Sequence, residues 1–128
     1  MKDKTKTWLN YAGENLESSQ ILLQGNLYNP CLQNVQQAVE KGLKAVLIEK
    51  AIKLKRTHDI LDIKYLLLNN NVAVDLSDDD CDFLNSIYLP SKYPVGSALA
   101  DYEPDEEICQ NAIEIAKKTL ASIKEILK

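Results

Sequence analysis

At 128 residues, 45% hydrophobic and 27% charged, the chain has the size and make-up of one water-soluble domain, read as spanning residues 1–128. A formal net charge of −4 and a pI near 5.0 exclude a general DNA-binding surface, which needs clustered excess base. No apolar run reaches the roughly 18 residues of a membrane span and MKDKTKTWLN holds no signal-peptide core, so the expected location is the cytoplasm, away from any membrane.

The first predicted helix runs from about Lys6 to Gln24, with Trp8, Ala12, Leu16, Ser19 and Leu23 on one stripe, and stops at Gly25-Asn26. The second opens at Asn29-Pro30, Asn as N-cap and Pro at the first helical position, and reaches about Lys53. Its Leu32, Val35, Val39, Leu43 and Val46 recur every three or four residues and predict a buried stripe. Gln33, Gln37, Glu40, Lys41 and Lys44 recur at the same spacing as an amide and charge ladder, predicted to face water. Glu40 precedes Lys44 by one helical turn, the better order for an ion pair.

The third helix covers about Asp59 to Asn70, with Thr57 as its N-cap and Asp59 in its first turn, and ends in Asn69-Asn70-Asn71. Ser77 caps the fourth, whose first turn holds Asp78, Asp79 and Asp80 where the helix dipole favours negative charge; it runs to about Leu89 and is stopped by Pro90. The fifth starts at Pro104 and carries the stripe Ile108, Ala112, Ile115, Ala116, Thr119, Leu120, Ile123 and Leu127. With four glycines and no sustained alternation, the expected fold is all-α, an up-and-down bundle of four to five helices. One long irregular stretch, Pro90 to Glu103, has the length of a functional loop.

The chemistry is bounded by two singletons. Arg56 is the only arginine and His58 the only histidine, two positions apart. Cys31, Cys81 and Cys109 are odd in number and widely spaced, so neither a zinc site nor a disulfide framework is expected, and no metal or cofactor. In an up-and-down bundle the link between helices two and three and the segment after helix four lie at one end. Arg56, His58, Lys92 and Tyr93 are therefore expected to meet there, with Lys41 and Lys44 on the flank of helix two, as a cationic notch for a phosphate and a stacked base. Leu47, Ile48 and Ile52 on helix two, with Ile113 and Ile126 on helix five, fall off the core stripes; as surplus apolar surface they predict a homodimer.

Trp8 and Ala12, Tyr28, the run QQAVEKGLKA at 36–45, then Thr57-His58-Asp59-Ile60 and Ser91-Lys92-Tyr93-Pro94 together resemble the HEPN domain family over nearly the whole chain. The resemblance implies a helical bundle, commonly homodimeric, whose members commonly occur beside small nucleotidyltransferases in two-component modules, many behaving as toxin–antitoxin pairs; a nucleotide-binding role has been proposed for the family. Catalytic members carry an arginine followed after four to six residues by a histidine. Here a single residue separates Arg56 from His58, no histidine follows Lys92, and Lys92-Tyr93-Pro94 stands where relatives have Arg-Tyr-Pro. Lysine keeps the charge but loses the bidentate fork.

The expectation is thus a non-catalytic partner subunit of a small nucleotidyltransferase, in a toxin–antitoxin-like module, with a nucleotide or phosphate ligand. A divergent ribonuclease toxin and a ligand-free adaptor bundle are the alternatives. Metal-free RNA cleavage wants a general base and a phosphate-holding arginine, and this chain has one of each at the wrong spacing.

Overall fold

The structure, a computed structural model, describes residues 1–53, 56–92 and 103–128, with side chains for all of these except 88–92. Five helices follow one another: α1 (Asp3–Gln24), α2 (Tyr28–Glu49), α3 (Ile60–Leu68), α4 (Asp78–Lys92) and α5 (Glu106–Ile126). The described residues contain no strand, so the bundle is all-α.

α2 is the central element, with 13 of its 22 residues buried. Leu32, Val35, Val39, Leu43 and Val46 of the predicted stripe are each 0% exposed. α5 lies along this helix at Gly42, where a Cβ would stand only 2.5 Å from Leu120 Cδ2 and 3.0 Å from Ile123 Cδ1; glycine is what lets the two helices close. At the start of both helices Cys31 and Cys109 are buried, and Cys109 Sγ reaches the Tyr28 carbonyl at 3.6 Å. Burial pushes the Cys109 thiol up to about 12, which makes it an inert packing residue.

α1 pairs antiparallel with α2. The start of α1 is tied to the end of α2 by Glu49 Oε1, which accepts from Lys2 N at 2.9 Å and from the buried Thr5 hydroxyl at 2.9 Å. Three connections use one device. Asn26, Ala51 and Asn71 take φ of 60°, 54° and 64°, and the next N–H closes on a carbonyl of the preceding helix: Leu27 on Leu22, Ile52 on Leu47, Val72 on Leu67. The left-handed residue after α1 is Asn26, since Gly25 has φ −85°.

Several boundaries differ from the sequence expectation. α2 begins at Tyr28 with Leu27 at the N-cap, which places Pro30 inside the first turn, where its missing N–H is equally harmless. It ends at Glu49, four residues short of Lys53, at the Ala51 turn. Asp59, not Thr57, is the N-cap of α3: its carboxylate accepts from Asp62 N at 3.2 Å, while Thr57 Oγ1 accepts from Asp59 N at 3.0 Å. Ser77 caps α4 as expected, accepting from Asp80 N at 3.0 Å. α4 continues through Pro90 to Lys92, because a proline in the last turn forfeits one bond without stopping the few residues left. Asp105 caps α5, accepting from Ile108 N at 2.8 Å, so Pro104 stands outside the helix. Of the expected irregular stretch, 90–92 is thus helical and 93–102 lies outside the described residues.

α3 and α4 run antiparallel. Asp78 at the start of α4 accepts from Lys64 Nζ and Tyr65 Oη near the end of α3, each at 2.6 Å. Further along α4, Asn85 Oδ1 accepts from Ile60 N at 3.0 Å and Asn85 Nδ2 donates to Asp59 at 2.9 Å. α4 therefore returns to the end of the bundle where α3 begins, and its backbone goes on to Lys92.

The apolar surface differs from the expected surplus. Leu47 is 1% and Ile113 4% exposed, and Ile48, Ile52 and Ile126 are half-buried, all by contacts within the chain. A helix enclosed by neighbours on several sides needs more than one apolar stripe. Among the described residues the exposed large apolar side chains are Met1, Tyr11, Ile21, Leu27, Tyr65 and Leu68. No helix among the described residues is long and apolar enough to cross a membrane.

Candidate functional site

Two members of the α2 ladder, Glu40 and Lys44, do not face water, while Gln33, Gln37 and Lys41 are half-buried. Glu40 is 4% and Lys44 8% exposed, because the segment leading into α3 lies over this side of the helix. Lys44 Nζ donates to Glu40 Oε2 at 2.9 Å, the ion pair anticipated from their spacing. His58 Nδ1 meets the other carboxylate oxygen, Glu40 Oε1, at 2.9 Å. Gln36, fully buried, donates to the same Oε1 at 3.1 Å and to the His58 carbonyl at 3.4 Å. Its own Oε1 accepts from Gln37 Nε2 at 2.8 Å. The carboxylate of Glu40 is the hub, held from three directions.

Burial by itself would raise the Glu40 carboxyl. The hydrogen bonds from Lys44, His58 and Gln36, together with the Lys44 charge, outweigh that and hold it below its ordinary value of 4.5. An ionised carboxylate only accepts, so Nδ1 of His58 carries the hydrogen between them. The imidazole is thereby fixed in orientation, with 57% of its side chain exposed. Behind it, Thr57, Asp59 and Asn85 lock the turn, so the ring stands on a rigid base.

Of the residues expected in the site, His58 and Lys44 are brought together through Glu40, and Arg56 is exposed two residues before His58. Lys41 turns the other way. Its Nζ donates to Asn15 Oδ1 of α1 at 2.8 Å and sits 5.8 Å from the Tyr11 ring centroid, while Asn15 Nδ2 donates to Asn34 at 2.9 Å. Lys41 is thus a link between α1 and α2. Lys92 closes α4; its side chain and Tyr93 lie outside the described residues. Two residues that complete the site are missing from the sequence expectation. Gln36 is legible as the residue one turn before Glu40, whereas Asn85 gives no signal, since its partners belong to another helix.

What the arrangement offers is a fixed imidazole joined through Glu40 to a buried, already paired lysine, with an exposed arginine two residues before the imidazole in the chain. That set can hold an anion. Among the described residues, no group of three His, Cys, Asp or Glu side chains could hold a metal ion.

The sequence model of the HEPN domain matches residues 5–126. No curated protein matches the chain. Among solved structures, TT1696 from Thermus thermophilus is 27% identical and superposes with a TM-score of 0.76, covering 97% of this chain and 98% of its own. ST0689, an archaeal HEPN homologue, is 26% identical with a TM-score of 0.67 over 100% of both chains. A family match over nearly the full length, on an all-α bundle of the same architecture, makes this chain a member of the HEPN domain family.

Proposed function

We propose that this HEPN-domain protein is a non-catalytic, homodimeric partner subunit of a small cytoplasmic nucleotidyltransferase in a toxin–antitoxin-like module, and that it holds a nucleotide phosphate at Arg56, His58, Lys92 and Tyr93. The observation that carries the ligand half is the His58 imidazole, oriented by the buried Glu40 at 2.9 Å and following the exposed Arg56 by two residues. The partnership half is supported by family membership, because members commonly stand beside such enzymes. Against nuclease chemistry stands the spacing: the only arginine and the only histidine are two positions apart.

Titration with ATP in a calorimeter tests the reading, with an expected micromolar to millimolar affinity, about −4 to −8 kcal/mol. Lys92→Ala should weaken binding more than Lys44→Ala, since the Lys44 charge is already taken by Glu40. No heat with any nucleotide at millimolar concentration leaves only the adaptor alternative. Incubation with total RNA should give no cleavage, and cleavage abolished by His58→Ala would overturn the non-catalytic reading.

A further inference from the structure

The face of the bundle formed by α1 and α5 is open. A groove of about 890 Å³ runs between them, floored by Leu9, Leu16 and Leu120. Its walls carry Glu14 and Glu17 on α1, with Lys6 nearer the start of that helix, and Lys117 and Lys124 on α5. Among the described residues no ion pair crosses it, and Lys117 instead leans on Glu114 of its own helix at 3.5 Å. Opposite charges that face one another across a groove without pairing across it are suited to something lying between them.

Gly13 points to what that is. It stands in the interior of α1, where glycine is the poorest helix former after proline. At Gly42 a neighbouring helix explains the missing side chain, but a Cβ at Gly13 would meet nothing within 4 Å. Nothing among the described residues requires glycine there. The backbone of α1 is bare in the middle of the groove. Close approach of a second helix backbone would give the glycine its reason.

We infer that the groove receives α1 of a second copy of this chain, the two α1 helices crossing antiparallel about Gly13. This rests on the homodimer in the reading above and names its face. The pattern is self-complementary, as a two-fold interface requires. α1 and α5 run antiparallel, Gln20 lying near Lys117 and Lys6 near Lys124. A second α1 reversed about Gly13 sets its Glu14 and Glu17 between Lys117 and Lys124 of the first copy, and the exchange is reciprocal. It also brings Lys6 of each copy toward Glu17 of the other.

Light scattering after size exclusion, on the full chain and two charge-reversed forms, decides the matter. The wild type should run as a dimer of the 14.4 kDa chain. Glu14→Lys with Glu17→Lys, and separately Lys117→Glu with Lys124→Glu, should each weaken self-association at least about tenfold. Mixing the two forms should restore a dimer containing one of each, an outcome that mere damage to the fold would not give. Gly13→Leu, which adds bulk only in open space, should also yield a monomer with unchanged helix content. A wild type that dimerises while all these variants stay dimeric overturns this face and leaves the homodimer standing. A wild type that is monomeric at tens of micromolar overturns both.

Discussion

α2 is buried on two sides by two different means. Toward α5 it closes by shape at Gly42, where the missing side chain lets Leu120 and Ile123 approach. Toward the start of α3 it closes by charge, through Gln36, Glu40 and Lys44 meeting His58. Both sides are hidden from water, yet only the second has groups that a proton or an anion can rearrange. Burial alone does not separate scaffold from site; how each buried group is satisfied does.

The sharpest way to break that comparison is to remove the hub. Glu40→Ala leaves Lys44 buried without its partner, and breaking a buried pair from one side costs about 3–5 kcal/mol. Urea unfolding should show this as a lower midpoint with an unchanged slope. Replacing both Glu40 and Lys44 by Met should recover most of the loss, because the cost lies in the orphaned charge. A single substitution costing less than about 1 kcal/mol would mean that the network is a surface feature.

A smaller effect is expected across the helix. At Gly42 a valine adds branches where even a Cβ lies 2.5 Å from Leu120, and overpacking costs about 1–3 kcal/mol. Gly42→Ala should cost less, since the obstructing atoms are side-chain ends that can shift and alanine regains about 1 kcal/mol of helix propensity. If Gly42→Val unfolds at the wild-type midpoint, α5 does not close on α2 by shape.

The two sides also differ in how far the sequence reveals them. The apolar stripe of α2 and nearly all of that of α5 are buried as periodicity predicts, because 3.6-residue spacing is a property of one helix by itself. The Glu40–Lys44 pair is legible for the same reason, being local. Its burial is not. The same spacing serves a solvated ladder or a buried network, and only the path of the segment before α3 decides between them. His58 stands out as the sole histidine, but nothing in its neighbours announces Glu40, 18 positions earlier. The caps of three helices lie one or two residues from their expected positions, where adjacent Asn, Asp, Thr and Pro all qualify and the backbone chooses.

The gentlest test separates charge from shape on the polar side alone, by pH. In the folded chain the Glu40 carboxyl lies below its ordinary 4.5, so as pH falls the unfolded chain takes up its proton first. The stabilisation from this group is fully present above the ordinary value and is lost as pH drops through the lowered one. Glu49 and Asp78 are also lowered, by their bonds from Lys2 and Thr5 and from Lys64 and Tyr65, so acid destabilises the wild type through several groups at once. Comparison with Glu40→Gln isolates one of them. At pH 7 the variant orphans the Lys44 charge but keeps an amide oxygen to accept from it, so it should be less stable by about 1.5–3 kcal/mol, less than Glu40→Ala. Once the pH has fallen through the lowered value the wild-type carboxyl is protonated and comes to resemble the amide, so the two melting curves should converge. Gly42→Ala, which alters only the apolar side, should keep a constant offset from the wild type across the same range. A Glu40→Gln offset that is equally constant would show that the carboxylate hub carries no charge-dependent stability, and the contrast between the two sides of α2 would fall.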